Sequence, residues 1–183
     1  MARIHVIGAA GSGTTTLGAA LAARLGCPHE DTDAYFWLPT DPPFTTRRPA
    51  SARLALLLPR LAGAHWVLSG SALKWGAPLE RLFELVVFLR LHPALRMARL
   101  LRREAERYGD RIAPGGDLVV ASHAFLDWAE SYDTAGPEHR SLVAHERWLA
   151  ARPCPVLRLD SAAPVEALVD AVLGHLSGGA RVV

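Results

Sequence analysis

One short segment limits the architecture more than any other. It is the run Gly8-Ala9-Ala10-Gly11-Ser12-Gly13-Thr14-Thr15, set between an apolar stretch and an amphipathic one. Upstream, Arg3 to Ile7 has the content of a strand. Downstream, Thr14 to Leu25 places Leu17, Leu21 and Leu25 at i, i+4 and i+8, one face of a helix, and Gly26 suits the residue that ends it. Gly8, Gly11 and Gly13 let the backbone turn back sharply and aim successive N–H groups inward. The following helix adds roughly half a positive charge at its N-terminus, so the turn suits an anion. A glycine-rich turn that only joins strand to helix is the plainer alternative; spacing and context favour the anion nest.

The rest of the chain alternates in the same way. A short second strand ends near Asp31-Thr32-Asp33, and a polar, proline-rich loop runs from Leu38 to Pro49. A helix over Ala50 to Leu61 is weakened by Pro59. Trp66 to Leu68 is a third strand, closed by Ser69-Gly70-Ser71. Leu85 to Leu89 is a fourth, apolar throughout, as for a strand covered on both faces. An arginine-rich helix spans Pro93 to Tyr108, and further helices cover Leu118 to Tyr132 and Glu138 to Ala151. Val156 to Leu159 is a fifth strand, Pro164 to Leu176 a last helix, and Ser177 to Val183 a frayed tail. Such alternation gives an α/β protein with a parallel sheet between helices, and no linker or repeat divides residues 1–183, so one domain is expected.

Composition narrows the function. Of the 183 residues 50% are hydrophobic and 21% charged, which is globular rather than disordered. A net charge of +2 argues against a dedicated nucleic-acid binder. Arginine supplies nearly all the cations; Lys74 is the sole lysine. Cys27 and Cys154 form neither a metal-ligand spacing nor a disulfide framework, which suits a reducing compartment, and Met1 leads directly into the first strand, so a cytoplasmic location is expected. No apolar run is long enough for a membrane span.

The strand–glycine turn–helix context identifies residues 8–16 as a P-loop, with Gly8, Ala10, Gly11, Ser12, Gly13, Thr14, Thr15 and Thr16 around the phosphates and the Thr15 hydroxyl toward Mg²⁺. Thr14 occupies the position at which a P-loop carries lysine. Loss of a charge-assisted contact costs about 1.5–3 kcal/mol of binding, and loss of a transition-state donor about 2.7–4 kcal/mol of barrier. Nest, dipole and Mg²⁺ persist, so triphosphate binding is expected to survive. Lys74 or an arginine of a lid is a candidate replacement cation, with a solvated surface role the plainer reading of Lys74.

The P-loop, the Asp31-Thr32-Asp33 strand end and the helix Pro93 to Arg107 resemble the small P-loop kinases: adenylate, shikimate and gluconate kinase. The resemblance extends over nearly the whole chain. It implies a three-layer α/β/α fold, a five-stranded parallel sheet of order 2-3-1-4-5, a helical lid around residues 107–122 and an acceptor-binding segment around 34–62. It implies ATP and Mg²⁺ as cofactors and a small-molecule acceptor, with no membrane partner. Arg99 and Arg103 share a helix face and would reach the nucleotide, Arg103 and Arg111 acting in catalysis. A solvated helix with Leu95, Leu100 and Leu101 against the sheet is the alternative. The segment Asp160 to Pro164, including Ala162, resembles the loop whose backbone reads adenine, or is an ordinary helix cap.

The resemblance also assigns the acceptor side. Asp31 would face the Mg²⁺ shell and Asp33 the acceptor hydroxyl; a helix cap is the other reading of Asp33. Phe36, Trp37, Arg47 and Trp75 are candidates to hold a substrate with a flat or apolar part and an anionic group, or simply pack the loop. Trp128 and Trp148 read as packing residues. Two functions stand: a small-molecule or nucleotide kinase, and a degenerate P-loop protein that binds nucleotide with little turnover, which Thr14 favours.

Overall fold

Alternate residues of each central strand belong to different cores, and this builds three layers. In the computed structural model, which describes residues 2–178, the strands are β1 (Ala2–Gly8), β2 (His29–Asp31), β3 (His65–Ser69), β4 (Leu85–Arg90) and β5 (Val156–Asp160). All pairings are parallel and the order is β2-β3-β1-β4-β5. The five-stranded 2-3-1-4-5 sheet is therefore as the resemblance implied. The helices are α1 (Thr14–Leu25), α2 (Thr32–Phe36), α3 (Ala50–Arg60), α4 (Pro93–Tyr108), α5 (Val119–Glu130), α6 (Leu142–Ala150) and α7 (Val165–Gly178).

Leu85, Val87 and Leu89 of β4 pack with Leu17 and Leu21 of α1 and Val172 of α7. Val86 and Phe88, between them in sequence, pack with Leu57 of α3 and Leu149 of α6. Period-two alternation in a strand covered on both faces requires this division. Full burial of each such side chain contributes about 1.5–3 kcal/mol.

Several expectations are refined. A five-residue helix, α2, follows β2 directly; its start needs only Asp31 as the cap, which the proline-rich loop signal obscured. Pro59 falls in the last turn of α3, and the helix ends one residue later. On α4, Leu100 is buried but Leu95 and Leu101 are half exposed, so that helix does not turn all three leucines to the sheet. The buried face instead carries Arg96, whose guanidinium donates to Ala129 O at 2.6 Å and pairs with Asp133 at 2.7 Å. Trp148 packs on His5 and Phe83, whereas Trp128 is substantially exposed beside Phe125. The expected frayed tail lies outside the described residues from 179 onward; Ser177 and Gly178 close α7. Among the described residues no helix is long and apolar enough to cross a membrane.

Candidate active site

The carboxyl ends of the parallel strands lie along one edge, the edge at which doubly wound sheets bind ligands. β1 delivers the glycine turn there. Gly11 and Gly13 have φ of 81° and 89°, a region where a side chain is strained. At Gly11 a Cβ would also stand 2.8 Å from Leu100 and 2.9 Å from the Arg96 carbonyl, because α4 packs against the turn. Ser12 is fully buried and its hydroxyl donates to Ala9 O at 2.8 Å, tying the turn to itself. No side chain caps α1, and its first turn holds no acid, so its leading N–H groups keep their donor capacity.

At the mouth of the turn, β2 and β3 add a polar cluster. The Thr15 hydroxyl donates to Asp31 Oδ2 at 2.7 Å, and the Ser69 hydroxyl donates to the same oxygen at 2.8 Å. His29 Nε2 lies 3.0 Å from Ser69 Oγ. Asp31 Oδ1 accepts from Asp33 N at 2.9 Å, so Asp31, not Asp33, caps α2. A hydroxyl and a carboxylate set together are hard oxygen donors of the kind Mg²⁺ takes, so the residues present fit that ion. Gly70, with φ of 89°, keeps its backbone against Thr32 and Asp31, where a side chain would collide.

Freed from capping, Asp33 is exposed to solvent at the edge of the site. Partial desolvation of its carboxyl by the protein around it and the Asp31 charge push its pKa up, opposed by Arg140, Arg103 and Arg107. A carboxylate so shifted is a better proton acceptor than an ordinary aspartate.

Helix α4 presents the arginines. Arg99 Nη2 donates to Ser161 O at 3.1 Å, and its Nη1 is the atom nearest to where a Gly13 side chain would start. Arg99 and Ala162 line, with Leu95, Ala98 and Arg102, a cavity of about 480 Å³ between α4 and the loop after β5. That loop is fixed by Ser161, which donates twice to Arg90 O, and by Asp160, which accepts from Ala162 N. Arg103 lies over Phe125 at 5.7 Å. Arg111 is held by carboxylates: it pairs with Asp117 at 2.7 Å and reaches Asp41 at 3.4 Å. The Lys74 ammonium donates to the Glu138 carbonyl.

Beyond Asp33 is an aromatic cluster. Phe36 meets Trp37 at 4.8 Å and Trp75 at 6.5 Å, and Trp37 meets Phe44 at 6.2 Å. The candidates Phe36, Trp37 and Trp75 are thus brought together, with Arg47 5.9 Å from the Phe36 ring. Its neighbour Arg48 instead donates to the carbonyls of Tyr35 and Trp37 and holds the loop.

Two arginines belong here that sequence reasoning missed. Arg53 of α3 is buried, stacks on Phe36 at 3.8 Å and lies 5.6 Å from Trp75. Its position four residues before Leu57, on the apolar stripe of α3, was the available signal. Arg140 donates from Nη2 to Gly8 O at 3.0 Å, across 132 positions of sequence. Nothing local marks it.

Sheet order, crossover helices and glycine turn together define the small-kinase type of P-loop fold. Three solved structures share it: shikimate kinase from Bacteroides thetaiotaomicron (TM-score 0.51, 18% identity, 96% of this chain and 98% of that one), a gluconokinase from Sinorhizobium meliloti 1021 (0.51, 19%, 96% and 91%), and an uncharacterized protein from Eubacterium ventriosum (0.55, 11%, 97% and 99%). At these identities the likeness shows the fold. No family model matches the chain. The chain is 45% identical over 175 residues, 95% of its own length and 97% of the relative's, to the uncharacterized protein YqaC of Bacillus subtilis (strain 168), and it belongs to the YqaC family.

Proposed function

We propose that the protein is an ATP-dependent phosphotransferase acting on a small anionic acceptor. One observation carries this reading: the Thr15–Asp31–Ser69 cluster stands at the mouth of an uncapped glycine turn, with the shifted carboxylate of Asp33 beside it. Residues 8–16 hold the phosphates through backbone N–H groups, Arg99 and Ala162 flank the base in the cavity beside α4, and Thr15 and Asp31 hold Mg²⁺. ATP supplies the phosphoryl group and Mg²⁺ neutralises its charge. Asp33 orients the acceptor hydroxyl and takes its proton, and Arg103 adds positive potential from α4.

The acceptor lies over Phe36, Trp37 and Trp75, with Arg47 and Arg53 on its anionic group. Neither arginine has a carboxylate partner within ion-pair distance among the described residues, while each lies over an aromatic ring. A planar guanidinium in such a setting matches a carboxylate or phosphate. Residues 107–122 form the lid and residues 34–62 the acceptor segment; the Arg111–Asp41 contact joins the two.

The reading is tested by titrating Mg·ATP, then following γ-phosphate transfer to a panel of nucleoside monophosphates, hydroxy acids and uncharged alcohols. Transfer confined to anionic acceptors supports it. Tight ATP binding with no transfer supports the second reading, a nucleotide-binding protein with little turnover, which Thr14 favours.

A further inference from the structure

The lysine that Thr14 replaces would supply a cation at the phosphate turn, and the basic side chains nearby differ in how far they are already committed. Lys74 donates to the Glu138 carbonyl. Arg111 is paired with Asp117 and Asp41. Arg96 is spent on Ala129 and Asp133. Arg107 lies over Phe44 at 5.0 Å, on the acceptor side. Arg99 reaches the adenine-side loop through Ser161.

Arg140 shares with Arg107 and Arg103 a place over an aromatic ring, Trp128 at 5.7 Å, but of all these side chains it is the one that donates to the turn itself. A guanidinium carries five donors, and Arg140 uses one on the carbonyl of Gly8, the first residue of the turn. Its Nε is buried with no partner. Among the described residues no carboxylate lies within ion-pair distance; Asp33 and Asp31 act on it only through their field. A half-satisfied guanidinium beside a ring of inward N–H groups is costly unless an anion arrives to use its donors.

The fold holds it there. Arg140 directly precedes Ser141, whose hydroxyl caps α6 by accepting from Ala144 N at 3.2 Å and is itself tied to Gly136 O at 2.8 Å. One turn on, buried His145 bridges Tyr132 Oη at 2.7 Å and Ser71 Oγ at 3.3 Å, fixing α6 against the loop after β3.

We propose that Arg140 is the cation that replaces the P-loop lysine, placing its free donors on the terminal phosphates of a nucleoside triphosphate. This rests on the nucleotide-binding reading above. It also explains how a turn with threonine at the lysine position retains a triphosphate: the charge comes from a residue remote in sequence.

The test compares Mg·ATP with AMP. Replacing Arg140→Met is expected to weaken Mg·ATP binding by about 10- to 100-fold, the scale of a lost charge-assisted contact, and to leave AMP affinity within about twofold. Adding Thr14→Lys to Arg140→Met should recover most of the loss. Equal loss for ATP and AMP, or no recovery with Thr14→Lys, makes Arg140 a merely structural residue and overturns the proposal. Unchanged Mg·ATP affinity in Arg140→Met overturns it while leaving nucleotide binding intact. A wild-type chain that binds no nucleotide sinks the underlying reading as well. Should Arg140→Met not fold, the unmodified protein decides: its Arg140 Nε–H resonance must shift on saturation with Mg·ATP and stay in place with AMP, and a resonance unmoved by Mg·ATP refutes the proposal.

Discussion

The two halves of the sheet edge are built from different materials. On the proposed phosphate half, residues 8–16, the groups offered to a ligand are main-chain amides shaped by positive-φ glycines and an uncapped helix start. On the proposed acceptor half, residues 34–62, they are side chains: aromatics in contact, with Arg47 and Arg53 laid over the Phe36 ring. Backbone recognition is set by local sequence and tolerates change in neighbours. Side-chain recognition depends on which distant elements pack together, and specificity can change there without touching the turn.

That contrast is broken most forcefully at Asp33, which stands where the halves meet. Asp33→Asn should lower phosphoryl transfer by about 10²–10⁴-fold, the range for a lost general base, with Mg·ATP affinity changed less than about threefold. If affinity falls as far as rate, Asp33 serves the nucleotide and the division is misplaced.

Arg53→Met should raise the acceptor KM by about 10- to 100-fold, leaving kcat and Mg·ATP affinity near wild type. Steady-state kinetics on any anionic acceptor the panel yields checks this.

Gly13→Ala acts on the other half. Its Cβ would have space, with Arg99 Nη1 at 3.9 Å the only atom near, but the backbone sits at φ of 89°. Strain of about 1–2 kcal/mol should weaken Mg·ATP by about 5- to 30-fold and leave acceptor KM unaffected.

Acid probes the packing that carries both halves. His5 and His145 are buried and neutral, each with its pKa lowered to about 3, chiefly by desolvation. Their folded pKa lies below the unfolded value, so stability is intact above about pH 6.5 and is lost as pH falls from there toward 3. Each contributes a slope of about 1.4 kcal/mol per pH unit in that window. Urea unfolding at pH 7, 6 and 5 measures it, and His145→Gln should remove one of the two slopes.

The sheet was legible because its evidence is local: the apolar runs of β1, β3 and β4 and the leucine spacing of α1 each specify an element, and the alternation specifies the layers. The turn was legible for the same reason. Asp31 and Asp33 were placed at a strand end, but their division of labour was hidden, because only the chain path through α2 shows which of them caps it. Arg53 was readable in hindsight as a charge on an apolar stripe. Arg140 was not readable, since its meaning is a contact with Gly8 that closes only when the sheet, α6 and the loop after α5 are assembled.

In the proposed reading, main-chain donors in residues 8–13, with the helix behind them, retain a triphosphate although no lysine follows. Calorimetric titration of the purified protein with Mg·ATP tests it most directly. Saturable binding of one nucleotide per chain below millimolar concentration is expected, weakened by Gly13→Ala. Absence of heat and of saturation at millimolar Mg·ATP or Mg·GTP would contradict it.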